Sequence, residues 1–247
     1  MHISSLSIRN FRNFRSAKLK FTKGINTIIG ENGSGKTNLF YALRILLDNT
    51  LPRYISFYET DFNRSLGTWK GHWLIISVVF EELDANEEAQ AIAIQACGQM
   101  DQESKGSYSV YFRPKYELRR KIYDYSLRED KCPKGLEDIL TQISLADYET
   151  VYLCRGKADF SDDESYRRYV GDFDNIEFPN PDDKEELAFG TRPPSEISIH
   201  NEVSCTFIKA LRDVESDLRS YANNPLLNLL RGKEKTVKIA KQNEIIK

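Results

Sequence analysis

Residues Gly30-Glu31-Asn32-Gly33-Ser34-Gly35-Lys36-Thr37 satisfy the pattern GxxxxGK[ST] in full, and this motif requires a strand before it and a helix after it. Ile25-Asn26-Thr27-Ile28-Ile29 is a short β-branched run that suits a buried strand. Beyond the loop, Leu39, Ala42, Leu43, Leu46 and Leu47 recur at helical spacing. The expected order is therefore strand, loop, helix. In such a loop the glycines let successive backbone N–H groups turn inward as an anion-binding nest, and the helix that follows presents about half a positive charge at its N-terminus. Lys36 is then placed to reach the β- and γ-phosphates of a nucleoside triphosphate, and Thr37 to put its hydroxyl on Mg²⁺. Asn32 and Gly33 shape the loop. The bland alternative is a glycine-rich turn with a chance lysine. The base is not encoded here, because the loop contacts phosphates alone.

Around this loop the chain reads as mixed α/β. Ile3, Leu6 and Ile8, then Ala17, Leu19 and Phe21 alternating with Lys18 and Lys20, predict a two-strand hairpin with one wet face. Pro52 to Gly71 is irregular, and Trp73 to Phe80 carries the strongest strand signal in the chain. Asp84 followed by Glu87 resembles a helix cap, with the helix running to about Cys97. Ser107 to Arg113 and Tyr116 to Tyr125 are expected as strands of a hairpin with Pro114 at the junction. A helix is expected over Leu136 to Ile143 and a strand over Thr150 to Cys154. Asp159 to Glu186 holds eleven acidic residues against three basic ones, with Pro179 and Pro181 inside, and reads as a solvated loop or insertion over about 159–196. Downstream, Val203 to Ile208 reads as a strand, and Val214 to Tyr221 and Leu226 to Leu230 as helices. Lys233 to Lys247 is basic and helix-compatible.

Other chemistries find little support. Cys97, Cys132, Cys154 and Cys205 form no CxxC pair, and His2, His72 and His200 sit in no HExxH-like spacing. No stretch approaches the roughly 20 apolar residues of a membrane span, and no signal peptide opens the chain, so a cytoplasmic location is expected. A formal net charge of −2 means that any DNA contact must come from local patches. One such patch is Arg113, Lys115, Arg119, Arg120 and Lys121, interleaved with Tyr111, Tyr116 and Tyr123, a mixture suited to phosphates and bases. The bland alternative is the wet face of a hairpin. Arg9, Arg12 and Arg15 are open to the same two readings.

Ser7-Ile8-Arg9-Asn10-Phe11-Arg12-Asn13-Phe14, followed by the phosphate loop and then Asn38, resembles the opening of RecF, SMC and OLD-type ABC ATPases. The helix Leu39 to Leu47, with Phe207-Ile208-Lys209-Ala210-Leu211-Arg212-Asp213 and Asn224-Pro225-Leu226-Leu227, is most similar to OLD proteins, which include the nuclease subunit of Gabija defence. The resemblance implies an α/β ABC-type head lobe with mixed and antiparallel sheet followed by C-terminal helices. It implies ATP and Mg²⁺ as cofactors, and it adds Asn38 to the ATP-binding set. It also implies DNA as a partner, and a role in antiphage defence. Residues 1–231 would form the head portion and 232–247 the start of a helical segment.

Four expected parts lack a clear counterpart. Val78-Val79-Phe80-Glu81-Glu82 has the form of a Walker B, yet it lacks the metal-orienting Asp and comes early. Cys97-Gly98-Gln99 is a fragment of a signature motif without its serine-glycine, and Asp61 is a weak substitute for the family's Q-loop residue. Asp172-Phe173-Asp174 could mimic a Toprim metal pair, but its neighbours are polar, so no nuclease centre is assigned. A homo-oligomer or second chain is therefore expected to supply the Walker B, the signature motif and the Toprim nuclease, and no catalytic residue is named. The alternatives are a RecF- or SMC-like DNA-repair ATPase without a nuclease, a small-molecule kinase and a structural nucleotide-binding module.

Overall fold

The computed structural model describes residues 1–48, 50–52, 55–83, 105–183, 186–193, 203 and 205–207. The N-terminal alternation forms a hairpin, β1 (His2–Phe11) and β2 (Phe14–Lys20), joined at Arg12-Asn13 and registered Ile8 to Ala17. On its other edge β1 pairs antiparallel with β3 (Leu74–Glu81). The sheet continues through β4 (Gly106–Pro114), β5 (Tyr148–Arg155) and β6 (Gly190–Thr191), in the order β2-β1-β3-β4-β5-β6 and antiparallel throughout.

Both faces of the sheet are covered, which explains why Trp73 to Phe80 is apolar at every position but Ser77. On one face Leu6, Ile8, Leu74, Ile76, Val78 and Phe80 meet α1 (Lys36–Leu47), which buries Leu39, Ala42, Ile45, Leu46 and Leu47. Each of these leucine, isoleucine, valine and phenylalanine side chains contributes about 1.5–3 kcal/mol when fully removed from water. On the opposite face Trp73, Ile75, Tyr111, Val151 and Leu153 pack with Phe160, Tyr166 and Val170.

Three sequence expectations need correction. Ile25 to Ile29 is not a strand: it joins no sheet among the described residues, and Ile25 and Ile29 are 96% and 91% exposed. A β-branched run becomes a strand only where a neighbour completes its hydrogen bonds, and only Ile28 touches the core. Tyr116 to Tyr125 is helical, within α2 (Tyr116–Ser126). Leu118, Ile122 and Tyr125 lie at i, i+4 and i+7 and turn one face to the core, while the intervening arginines and lysine favour helix. The acidic stretch is more than a loop, because it contains α4 (Asp163–Val170). Its acids are those a helix start prefers: the Asp162 carboxylate accepts from the Ser165 amide, Asp163 and Glu164 fill the first turn, and Arg167 and Arg168 fill the last.

The helix expected at 136–143 is present as α3 (Pro133–Thr141), opened by its proline. A four-residue turn of helix, α5 (Glu186–Phe189), precedes β6. The helices expected at 84–97, 214–221 and 226–230, the segment 233–247 and the Cys97-Gly98-Gln99 fragment lie outside the described residues. Within the strand expected at 203–208, residues 203 and 205–207 are described and are not strand.

The fully buried Tyr166 hydroxyl joins three elements. It accepts from Asn10 Nδ2 at 2.9 Å and from the Trp73 amide at 3.0 Å. With both lone pairs used, its proton is left for His72 Nδ1 at 3.2 Å, which places the remaining imidazole proton on Nε2. Tyr166→Phe strands these donors in the core and should destabilise the protein by about 1–3 kcal/mol. A lowered urea midpoint at unchanged m-value checks this, and an unchanged midpoint would contradict it.

Candidate nucleotide site

The loop that breaks the sheet's pattern is fully on the surface: residues 29–34 are all exposed. Gly33 and Gly35 adopt φ of +86° and +97°, the left-handed region that favours glycine. Gly35 is constrained a second way, because a Cβ there would run into the Asn13 amide. A turn closed by the Ser34 amide on the Glu31 carbonyl at 3.2 Å leads into α1. Lys36 arches back across the loop, its Nζ donating to the Gly30 and Glu31 carbonyls at 2.5 and 2.7 Å. No side chain caps α1 and no acid occupies its first turn. The leading N–H groups of the helix are thus left to an anion. Thr37 is exposed on that turn.

The loop is held from one side by the turn of the first hairpin. Asn13 donates to the Ser34 carbonyl at 3.2 Å and accepts from Asn38 Nδ2 at 2.8 Å. Arg12 Nη1 donates to Asn38 Oδ1 at 3.0 Å, so the Asn38 amide is fixed at both ends. The same guanidinium pairs with Asp61 at 2.9 Å and lies 4.4 Å over the Tyr41 ring. Asn63 Nδ2 donates to the Arg12 carbonyl at 2.7 Å, and Arg12 takes a φ of +49°. Among the described residues Asp61 therefore meets the site only through Arg12. Sequence reasoning quoted Arg12 and Asn13 without assigning them this role. The available signal was their position in the hairpin turn that shares a motif with the loop.

The far end of α1 is anchored too. Burial would raise the Asp48 carboxyl, but hydrogen bonds from Thr50 and Arg44 outweigh it and hold the group below its ordinary value. The Arg44 guanidinium also covers the Phe207 ring at 4.2 Å.

Several candidates lie elsewhere. Glu81 is registered opposite His2, at the end of β1 away from the Arg12-Asn13 turn. Ten residues of strand separate the two ends by roughly 30 Å. Glu81 pairs with Lys105 and Glu82 with Lys23, so neither carboxylate serves the loop. Asp172 spends its carboxylate on the Asp174 and Asn175 amides and on Asn175 Nδ2, a local turn rather than a metal pair. Among the described residues no cluster of His, Cys, Asp or Glu could hold a metal ion.

The basic patch is not a hairpin face. Arg113 pairs with Glu149 at 2.9 Å and lies 5.3 Å over Trp73, and Arg119 covers the same ring at 5.7 Å. Burial and the Arg113 charge pull Arg119 down to about 10. Lys115 Nζ donates to the Ala146 carbonyl at 2.6 Å, and Arg120 is paired with Asp124 and Asp182. Lys121 is exposed on α2. No helix among the described residues is long and apolar enough to cross a membrane.

Residues 1–239 match the model of a family described as an AAA ATPase domain. The chain is 27% identical to endonuclease GajA of Bacillus cereus (strain VD045) over 117 residues, which are 47% of this chain and 20% of that protein. It is 46% identical to the DNA replication and repair protein RecF of Listeria welshimeri over 46 residues, which are 19% of this chain and 12% of that protein. The match thus spans a fifth or less of these relatives' length. A solved structure from work titled "Structural biochemistry of ATP-driven dimerization and DNA stimulated activation of SMC ATPases" aligns with a TM-score of 0.33 at 20% identity, over 46% of this chain and 64% of that one.

Proposed function

This chain belongs to the AAA ATPase domain family, and from that premise we propose that it is the ATP-binding head portion of an OLD-type DNA-processing nuclease, in which nucleotide controls DNA engagement or cleavage. The observation that carries the reading is the bolted arrangement of loop, α1 and hairpin turn, in which Asn13 and Asn38 fix the residues flanking Lys36. Gly30 to Thr37 would hold the phosphates. A Cβ at Gly35, where φ is +97°, would run into the Asn13 amide, so the loop's close turn depends on that glycine. Lys36 supplies the positive charge and Thr37 the hydroxyl for Mg²⁺, which when bound would neutralise phosphate charge.

Residues 1–231 form the head portion in this reading, with 159–196 an elaboration of it and 232–247 leading to a part that carries the Walker B, the signature motif and the Toprim nuclease. A second copy or a partner chain would complete the site. DNA contact is assigned to the basic patch, chiefly through Lys121 and the partly exposed Arg120, since Glu149 and Trp73 hold Arg113 and Arg119. A RecF- or SMC-like ATPase without a nuclease is the second reading, favoured by the 46% identity to RecF over 46 residues.

The test is fluorescence anisotropy of a labelled duplex. Mg-ATP should raise the affinity of the chain for DNA where Mg-ADP does not, and Lys36→Ala should lose the difference. DNA binding indifferent to nucleotide would contradict the proposal.

A further inference from the structure

Away from the phosphate loop, a cleft of about 460 Å³ opens between the first hairpin, the segment after residue 64, α3 and α4. None of Gly30 to Thr37 lines it. Its inner wall presents donors. Arg9 is only 5% exposed, an uncommon burial for a side chain that is always charged. Its guanidinium lies 4.3 Å over the Tyr166 ring and pairs through Nη1 with Asp163 at 2.6 Å, while its Nε is buried without a hydrogen-bond partner. Beside it Arg15 reaches in from β2 with no ion pair among the described residues. His72 adds a third donor, because the Tyr166 hydroxyl occupies Nδ1 and leaves the proton on Nε2.

Four cationic side chains, Arg9, Arg15, Lys70 and Arg167, line the cleft against four carboxylates, Glu137, Asp163, Asp172 and Asp174, so an anion is favoured by where the donors lie and not by an excess of charge. Burial, with the Arg9 and Arg15 charges, pulls His72 down to about 4. Of the lining carboxylates, Asp163 is engaged by Arg9 and Asp172 by Asn175. Asp174 and Glu137 are exposed, and Lys70, also on the lining, donates its Nζ to the Thr141 carbonyl. Two guanidinium groups and an imidazole N–H converging on one pocket are the donor set that an oxyanion with several acceptor oxygens satisfies. Leaving such a buried donor unmatched is costly, so an unpartnered Arg9 Nε asks for an explanation.

We propose that this cleft is a second anion site that binds a phosphate group through Arg9, Arg15 and His72. The phosphate can be a phosphodiester of a nucleic acid strand or a free phosphate, and the chemistry of recognition is shared. The site stands independently of the nucleotide reading.

The test uses the 247-residue chain carrying Lys36→Ala, so that the phosphate loop contributes little. The imidazole signals of the three histidines are followed by NMR, with His72→Asn assigning the relevant one. Inorganic phosphate and a short single-stranded oligonucleotide are titrated separately against chloride at matched ionic strength. A saturable movement of the His72 signal is expected, with its pKa rising by about one unit or more as an anion settles beside it. Arg15→Ala should weaken the titration by about tenfold or more, the loss of one charge-assisted contact, and Arg15→Lys should recover part of it. Response to phosphate alone identifies a small-phosphate site, and response to the oligonucleotide alone or to both identifies a strand-binding one. A His72 signal that chloride moves equally, that neither probe moves, or that moves identically in Arg15→Ala overturns the proposal.

Discussion

Lys36→Ala should weaken Mg-ATP binding by roughly tenfold to a hundredfold, since one charge-assisted contact of about 1.5–3 kcal/mol is removed. The structure makes this variant a clean probe. Among the described residues Lys36 donates only to the Gly30 and Glu31 carbonyls of its own loop, and α1 is held in place by its buried face and by Asn38 rather than by that side chain. The fold should survive with an unchanged urea midpoint. Calorimetric titration that returned equal affinities for the parent and the variant would remove the assignment of the loop to phosphate.

The larger effect is expected in turnover. Purified residues 1–247 should retain Mg-ATP yet hydrolyse it negligibly, and hydrolysis should appear when a longer chain or partner is present. Holding the β- and γ-phosphates is one part of phosphoryl transfer; orienting water and stabilising charge opposite the γ-phosphate need other groups. The apolar-then-acidic stretch ending at Glu81-Glu82 cannot supply them here. It lies at the His2 end of β1, with its carboxylates paired to Lys105 and Lys23, and Asp61 is committed to Arg12. Phosphate release should therefore track the completed assembly. Robust turnover that copurifies with the 247-residue chain and vanishes in Lys36→Ala would show that a carboxylate of this chain does the work.

What was legible in the sequence follows the reach of the interactions involved. The hairpin β1–β2, strand β3 and helix α1 are written in local periodicity, and the phosphate loop in glycine spacing, so these could be read directly. Ile25 to Ile29 could not, because its composition states a preference for strand while pairing depends on a neighbour elsewhere. For α2 the error was one of period. Pro114 suggested the junction of a hairpin with a second strand beyond it, although Leu118, Ile122 and Tyr125 already lay on one helical face. The acidic stretch misled through its average charge, which hid Phe160, Tyr166 and Val170 spaced for burial. The hairpin's grip on the loop was illegible for a different reason. Asn13 and Ser34 are 21 residues apart and Arg12 and Asp61 are 49 apart, so only the folded chain brings them together.

Hydrogen exchange measured with and without saturating Mg-ATP tests the central claim most directly, because it reads where the nucleotide sits. Amides of residues 30–38 and of the turn at 11–14 should gain protection together, since Asn13 and Asn38 couple the two segments. Amides around Glu81 and Glu82, at the other end of β1, should exchange unchanged. Protection over 30–38 that disappears in Lys36→Ala is the predicted result. Saturating Mg-ATP that leaves 30–38 unprotected, or that protects only a distant segment, would contradict the account.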